Sequence, residues 1–332
     1  MKHWLGLSVV SALSLQLLAC GGGGDLQGAP DASAPADLKS ADEVAAVVVV
    51  AGSLPGLTSA DTGGTATTSG GSTLLASAKT LNASRQAASA AKAAQPKGTS
   101  TSACNGGGSA SFTTDDSTLY AKDGVTTANQ CVDILRNNAN QEMARSTLNG
   151  RLAEKCIDNA QTSSNCASYQ GSVGQGSTPF SVAYKEAGAG GEDSSSSGLF
   201  SYRSSSTANG SSETLLGTLS VVDNRVQQTA SLLFDQLSQQ SSLSAGVESL
   251  RVDGGLGFAS NTRRCFSGKL RLQTLAPITL DSNGNSTSGR LAVTDGSNAR
   301  YEVEFLSAGA ISVNYQGQLT TYTASQLASF CQ

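Results

Sequence analysis

No aromatic residue stands between Cys20 and Ser111, and every tyrosine and phenylalanine of the chain lies from Phe112 onward. Aromatic side chains bring the largest buried areas to a core, so this asymmetry divides the sequence into a part with little to pack and a part that can fold. In the first part Ala, Ser, Thr and Gly dominate, and prolines stand at Pro30, Pro35, Pro55 and Pro96. Residues 20–103 therefore read as a low-complexity tether, disordered or partly helical. Residues 104–332 read as the folded domain, and those 229 residues suffice for one sizeable β domain or two small lobes. Two stretches of the tether have more character. Ala41 to Ala51, ADEVAAVVVVA, suits either a short helix or a strand that joins the later sheet; Leu74 to Gln95 has high helix propensity but few large apolar residues.

Beyond Gly106 the pattern turns to short strands. Ala110-Phe112, Phe180-Val182-Tyr184, Phe200-Tyr202, Leu215 to Val221, Leu270-Leu272 and Ile311-Val313-Tyr315 alternate apolar and polar residues between Gly, Ser, Asn and Asp. Ile278 to Val293 carries an Asn-Gly between β-formers, a hairpin signature. Asp295-Gly296 supplies another turn before Tyr301, Val303 and Phe305, which share one face and are expected to point inward. Val226 to Gln240 fits both a helix face and a strand, the strand suiting its surroundings better, and Asn129 to Ala144 is open between the two. The fold class expected is mainly β: an antiparallel meander forming a sandwich or a partly open barrel.

The N-terminus carries a different signal. Met1 to Trp4 precede a 14-residue apolar, serine-diluted run from Leu5 to Leu18, ending in small Ala19. That is a signal-peptide profile. A spanning helix needs ~20 apolar residues, and Gly21 to Gly24 end this run too early. Leu17-Leu18-Ala19-Cys20 resembles a bacterial lipobox, which implies a leader over residues 1–19, cleavage before Cys20 and diacylglycerol on its thiol. The alternative is an ordinary secretory leader that happens to end near a cysteine. Each buried acyl methylene adds ~0.8 kcal/mol and one chain binds only marginally, so two or three chains on Cys20 make a stable anchor. By resemblance to Gram-negative lipoproteins, Gly21 after the cysteine directs the chain to the outer membrane.

Removing residues 1–19 takes away the single histidine, His3, and the single tryptophan, Trp4. Histidine is the usual general base near neutral pH and the commonest metal ligand, so Ser-His-Asp and Cys-His hydrolases and histidine-bound zinc are excluded for the mature chain. Its charge is 20 basic minus 25 acidic residues, or −5, which argues against nucleic acid as a partner. No cofactor and no metal site is expected. Seven cysteines less Cys20 leave Cys104, Cys131, Cys156, Cys166, Cys265 and Cys331. An even number in an exported chain reads as three disulfides; fifteen pairings are open, with nearest neighbours favoured: Cys104 with Cys131, Cys156 with Cys166, Cys265 with Cys331.

Cys104-Asn105-Gly106-Gly107-Gly108-Ser109, a strand, the Asp115-Asp116 turn and Cys131 resemble the opening of an uncharacterised family of Gly/Ser/Thr-rich lipoproteins from Gram-negative bacteria. Leu148 to Leu152, Gly289 to Val293 and the short amphipathic end Thr321 to Phe330 are similar too. The chain departs from that pattern at Ala308-Gly309-Ala310 and Gln316-Gly317, where an acidic turn is expected. The resemblance implies an envelope β-sheet protein and supplies no activity.

Three patterns could carry chemistry. Glu302 and Glu304 lie two apart on an expected strand, about 7 Å apart on one face, within the range that glycoside hydrolysis uses; the simpler reading is the wet face of a strand. Asp281, Asn283 and Asn285 resemble the start of a calcium loop, but Ser286 stands where glycine is needed and Ala292 where glutamate is, so a hairpin turn is preferred. The serine runs Ser194 to Ser197 and Ser204 to Ser206 read as exposed loops. The expectation is thus a non-enzymatic, outer-membrane-anchored binding or structural lipoprotein, held by lipid on Cys20 and open to a protein, lipid or glycan partner. A lipid or lipoprotein carrier with an apolar sheet cavity is the alternative, and a carboxylate-based glycosidase the third reading.

Overall fold

The computed structural model describes residues 31–54, 99–114, 124–157, 167–261, 265–281 and 284–331. Among the described residues fifteen strands follow one antiparallel meander, with each strand hydrogen-bonded to the next in sequence except at a single branch. The chain divides into two compact units. Unit 1 is drawn from Met1–Gly56, Ser206–Leu216 and Val226–Gln332, and unit 2 from Leu57–Ser205 and Gly217–Arg225.

Unit 2 holds β1 (Thr99–Ala103), β2 (Ser109–Thr114), β3 (Gly124–Arg136), β4 (Glu142–Cys156), β5 (Ser168–Val173), β6 (Phe180–Glu186) and most of β7 (Asp193–Thr207). The branch lies here. One half of β4, Ala144–Asn149, pairs with β6, and the other, Leu152–Cys156, pairs with β5. β7 repeats the division on the far side, so β5 and β6 lie end to end between two long strands. Gly150 sits at the division of β4 with φ +111°, where an added Cβ would stand 2.8 Å from the Phe180 Cα. Only glycine suits both the torsion and the approach. On the same sheet Gly171 lies opposite Tyr202, whose ring fills the space that a side chain would occupy.

The serine runs are strand, not loop. Ser194 to Ser197 and Ser204 to Ser206 belong to β7, and Ser194 and Ser196 point inward with 6% exposure each. The correction has a physical cause: Tyr184 and Val182 stand opposite those serines, and neighbouring strands override a weak local preference. Asn129 to Ala144 resolves into the end of β3, a turn and the start of β4.

Unit 1 holds β9 (Gln228–Ser244), β10 (Val247–Ser260), β11 (Gly268–Leu280), β12 (Ser286–Thr294), β13 (Arg300–Phe305), β14 (Ile311–Tyr315) and β15 (Gln318–Tyr322). β8 (Gly210–Asp223) contributes to both units. The strand reading of Val226 to Gln240 and the hairpin at Ile278 to Val293 both hold. On β13 the burial alternates without a break: Tyr301, Val303 and Phe305 are buried, and Arg300, Glu302 and Glu304 are exposed. Leu291 of β12 stands opposite Val303, and Val293 opposite Tyr301, so adjacent strands put their apolar residues on one face. After β15 the chain turns into helix α2 (Ala324–Leu327), closed by a capping box between Thr323 and Gln326.

The largest departure from the sequence reading lies at the N-terminal end of the described chain. Residues 32–54 belong to unit 1, and Ala32, Ala36, Leu38, Val44 to Val48, Val50, Ala51 and Leu54 are buried in its core rather than strung along a tether. Ala41–Ser53 form helix α1, and Val44, Ala45, Ala46 and Val47 are fully buried, with Val48 at 9% and Val50 at 1%. Successive helical residues point 100° apart, so five consecutive buried positions sweep more than a full turn. The helix is therefore enclosed on every side, which an amphipathic surface helix never is. It packs on β14 and α2. Ser40 caps its N-terminus by accepting from the Glu43 amide at 3.2 Å, and Asp42 and Glu43 lie in the first turn, where the helix dipole favours acids. Leu74 to Gln95, the other helical candidate, lies outside the described residues.

Two of the favoured disulfides are present, Cys104 with Cys131 and Cys265 with Cys331. Closing loops of 27 and 66 residues, they remove loop entropy from the unfolded chain worth roughly 3.5 and 4.3 kcal/mol. The second ties the segment after α2 to the β10–β11 connection. Cys166 lies outside the described residues.

Replacing Val47 by Ala deletes two buried methyl groups, and unit 1 is expected to lose about 2 kcal/mol of stability. Urea unfolding of the variant measures this; an unchanged midpoint would contradict the core assignment of α1.

Candidate functional site

The most elaborate polar construction of unit 1 is the seat of the segment that leads into α1. Ala32 to Leu38 crosses three glycines. An added Cβ would stand 2.2 Å from the Ala32 carbonyl oxygen at Gly257, 2.7 Å from the Ala36 Cα at Gly268, and 2.3 Å from the Pro35 Cβ at Gly296. The backbone can lie this close only because those side chains are missing. Hydrogen bonds fix the contact: the Ala36 amide donates to the Lys269 carbonyl at 2.9 Å, the Lys269 amide to the Ala34 carbonyl at 2.6 Å, and the Gly296 amide to the Ala36 carbonyl at 2.7 Å. Pro35 forms an isolated parallel bridge with Lys269.

Three tyrosines complete the seat. The rings of Tyr301 and Tyr315 stack with centroids 5.2 Å apart, and both hydroxyls donate to the Leu38 carbonyl, at 3.2 and 3.3 Å. Tyr301 also reaches the Asp295 carboxylate at 3.1 Å. The Tyr322 hydroxyl donates to Asp42 in the first turn of α1 at 2.6 Å. Burial, and then the neighbouring carboxylate, push the Tyr301 phenol up to about 12 and raise that of Tyr322 as well. Asp295 organises the turn beneath. Its Oδ1 accepts from the Ser297 amide and hydroxyl and from the Ala299 amide, at 2.9, 2.7 and 3.0 Å. Burial is the largest single influence on this carboxyl and pushes it up, but the bonds from Ser297, Ala299 and Tyr301 together outweigh it and leave it below its usual value.

The residues singled out from sequence fall elsewhere. Glu302 and Glu304 are on the exposed face of β13; Glu304 stands opposite Arg290 and Glu302 opposite Ala292. Their arrangement is that of a solvated strand face with an opposite-charge neighbour. Asp281 closes the β11–β12 turn: its carboxylate accepts from the Asn285 amide at 2.9 Å and the Asn285 side chain at 3.3 Å. These contacts are those of a hairpin turn fastened by its own Asp and Asn side chains. Asn283 and Cys20 lie outside the described residues. No group of three or more His, Cys, Asp or Glu side chains suited to a metal occurs among the described residues.

A second polar cluster, in unit 2, had no motif to announce it. Glu186 accepts from the Tyr184 hydroxyl and the Glu192 amide, both at 3.1 Å, and Glu192 accepts from Ser194 at 2.8 Å. Asp193 pairs with Lys185 at 2.9 Å and accepts from Asn224 at 2.9 Å, while Arg225 grips Asp223 through two nitrogens. Desolvation, the largest influence, raises the Glu192 carboxyl, and Glu186 and Asp223 add to the rise against the pull of Ser194 and Arg225. These contacts close the β6–β7 hairpin and the turn after β8. They satisfy one another and converge on no common open point, so the cluster is a fastening.

No protein-family model, curated protein or solved structure matches the chain.

Because the Asp295 carboxyl is lowered in the folded state, the unfolded chain binds the extra proton between the folded and unfolded values. The stability it contributes is present above the ordinary value of 3.8 and is lost as pH falls through the folded one. Asp295→Asn keeps the shape but not the charge, so its acid limb is expected to be flatter than that of the parent. Thermal melts between pH 2 and 7 read this directly; parallel acid limbs would contradict it.

Proposed function

We propose that the chain is an outer-membrane-anchored lipoprotein with a non-enzymatic binding or structural role in the cell envelope. The observation that carries this reading is Leu17-Leu18-Ala19-Cys20 at the end of an apolar run of signal-peptide length. The formation of Cys104–Cys131 and Cys265–Cys331 supports it, since structural disulfides persist in oxidising, extracytoplasmic compartments. Cys20 is the cysteine left over when the other six pair, and the lipid accounts for it.

The polar groups of the described residues support a binding or structural role over catalysis. The carboxylates of the Asp295 turn, the Asp281 turn and the β6–β7 cluster are each engaged by donors of their own neighbourhood, and the Glu302–Glu304 pair faces solvent from a strand. The carrier alternative is less well supported in unit 1, because α1 covers the apolar face that acyl chains would need. The partner under this reading is an envelope protein, lipid or glycan met at the exposed sheet face.

Expressed in a Gram-negative host, the chain is expected to fractionate with outer membranes and to carry acyl mass on the N-terminal Cys20. Cys20→Ser is expected to release it to the soluble fraction. Equal membrane retention of both forms, or a native mass without acyl groups, would overturn the proposal.

A further inference from the structure

The placement of α1 changes what the N-terminal region can do mechanically. Had residues 20–103 formed the tether, 83 residue steps would separate Cys20 from the fold, a covalent reach of roughly 300 Å. Ala32, near the start of the described residues, is already part of unit 1: it is 7% exposed and lies against Gly257. Twelve residue steps join Cys20 to Ala32. A chain reaches at most ~3.6 Å per residue, so this link spans no more than about 43 Å whatever its conformation. Residues 55–98 do not lengthen it, because they join the end of α1 in unit 1 to β1 in unit 2. They are an internal connection, not part of the leash.

We propose that the entry point of unit 1, where Ala32 to Ala36 crosses Gly257, Gly268 and Gly296, is held within about 43 Å of the phospholipid headgroups by a short link, and not by an 83-residue tether. The partner is the lipid surface itself. This inference rests on the acylation of Cys20 proposed above. The seat resists being pulled out: three backbone hydrogen bonds and three tyrosine hydroxyls hold residues 34–42, and the buried helix follows immediately. The anchor therefore acts on the core of unit 1 directly. Gly257 and Gly268 flank the β10–β11 connection, whereas Val247 at the β9–β10 turn lies ten residues along β10 from Gly257, about 33 Å away. The link therefore attaches to unit 1 at its β10–β11 end, and the β9–β10 turn, with Leu243 and Val247 exposed, is the end of these strands farther from the attachment point.

The test uses the acylated full-length chain on a supported phospholipid bilayer, with neutron reflectometry reading the separation of the protein layer from the headgroups. Forty Gly-Ser residues inserted after Gly24 are expected to move the layer outward by about 20 Å. The same insert after Gly70 is expected to leave it in place, and an insert after Gly63 serves as a second probe should the first not fold. Outward movement from the Gly70 or Gly63 insert equal to that from the Gly24 insert would overturn the proposal, as would no movement from the Gly24 insert. A wild-type layer that fails to stay on the bilayer, with no acyl mass on Cys20, would remove the lipid reading and this inference together, and intact mass distinguishes that failure from the others.

Discussion

The enclosure of α1 is the interaction on which unit 1 depends. Its valines are β-branched and lose side-chain freedom in a helix, a cost of about 0.5 kcal/mol each against alanine. Full burial of a valine offsets that several times over, at about 1.5 kcal/mol or more per side chain. Val44, Val47, Val48 and Val50 are all buried, so packing decides the conformation and propensity does not. The helix packs on β14, where Ile311 and Val313 are buried.

A helix without large side chains needs its ends fixed, because small residues slide easily past one another. Here the polar seat does that work. Ser40 and Asp42 sit at the N-terminus, Tyr322 holds Asp42, and Tyr301 and Tyr315 hold the carbonyl two residues before the cap. Asp295 in turn accepts from the same Tyr301 hydroxyl. The tyrosines serve as hydrogen-bond donors with apolar bodies, which suits the border between a buried helix and the surface. The three close-approach glycines let the preceding segment come close enough for this geometry, and none belongs to a recognisable motif.

The sheet was legible in the sequence where one face is buried and one is wet. Tyr301-Glu302-Val303-Glu304-Phe305 alternates without exception, and its orientation follows from the period alone. Turn residues placed the β11–β12 hairpin, and even cysteine arithmetic placed two bridges. Residues 41–53 were harder, since an unbroken Val/Ala run has no period and short apolar runs do not distinguish helix from strand. Ser40 followed three residues later by Glu43 is the local signal that favours a helix start. Equating aromatic content with core then assigned the stretch to a tether, although burial scales with apolar area and valine supplies it as well as tyrosine does. The serine runs of β7 give no local strand signal for the opposite reason: their strand character comes from Val182 and Tyr184 across the ladder, which no local window contains. The tyrosine seat joins residues more than 250 positions apart, so spacing carried no trace of it.

The account turns on residues 41–53 being the centre of unit 1. Native-state amide hydrogen exchange tests this most directly, because an amide buried in a core exchanges only when the whole unit opens. The amides of Ala45 to Ala51 are expected to match the best-protected amides of β13 and β14 and to lose that protection together with them in rising urea. Exchange of those amides at the rate of an unstructured peptide, while β13 and β14 stay protected, would contradict the account.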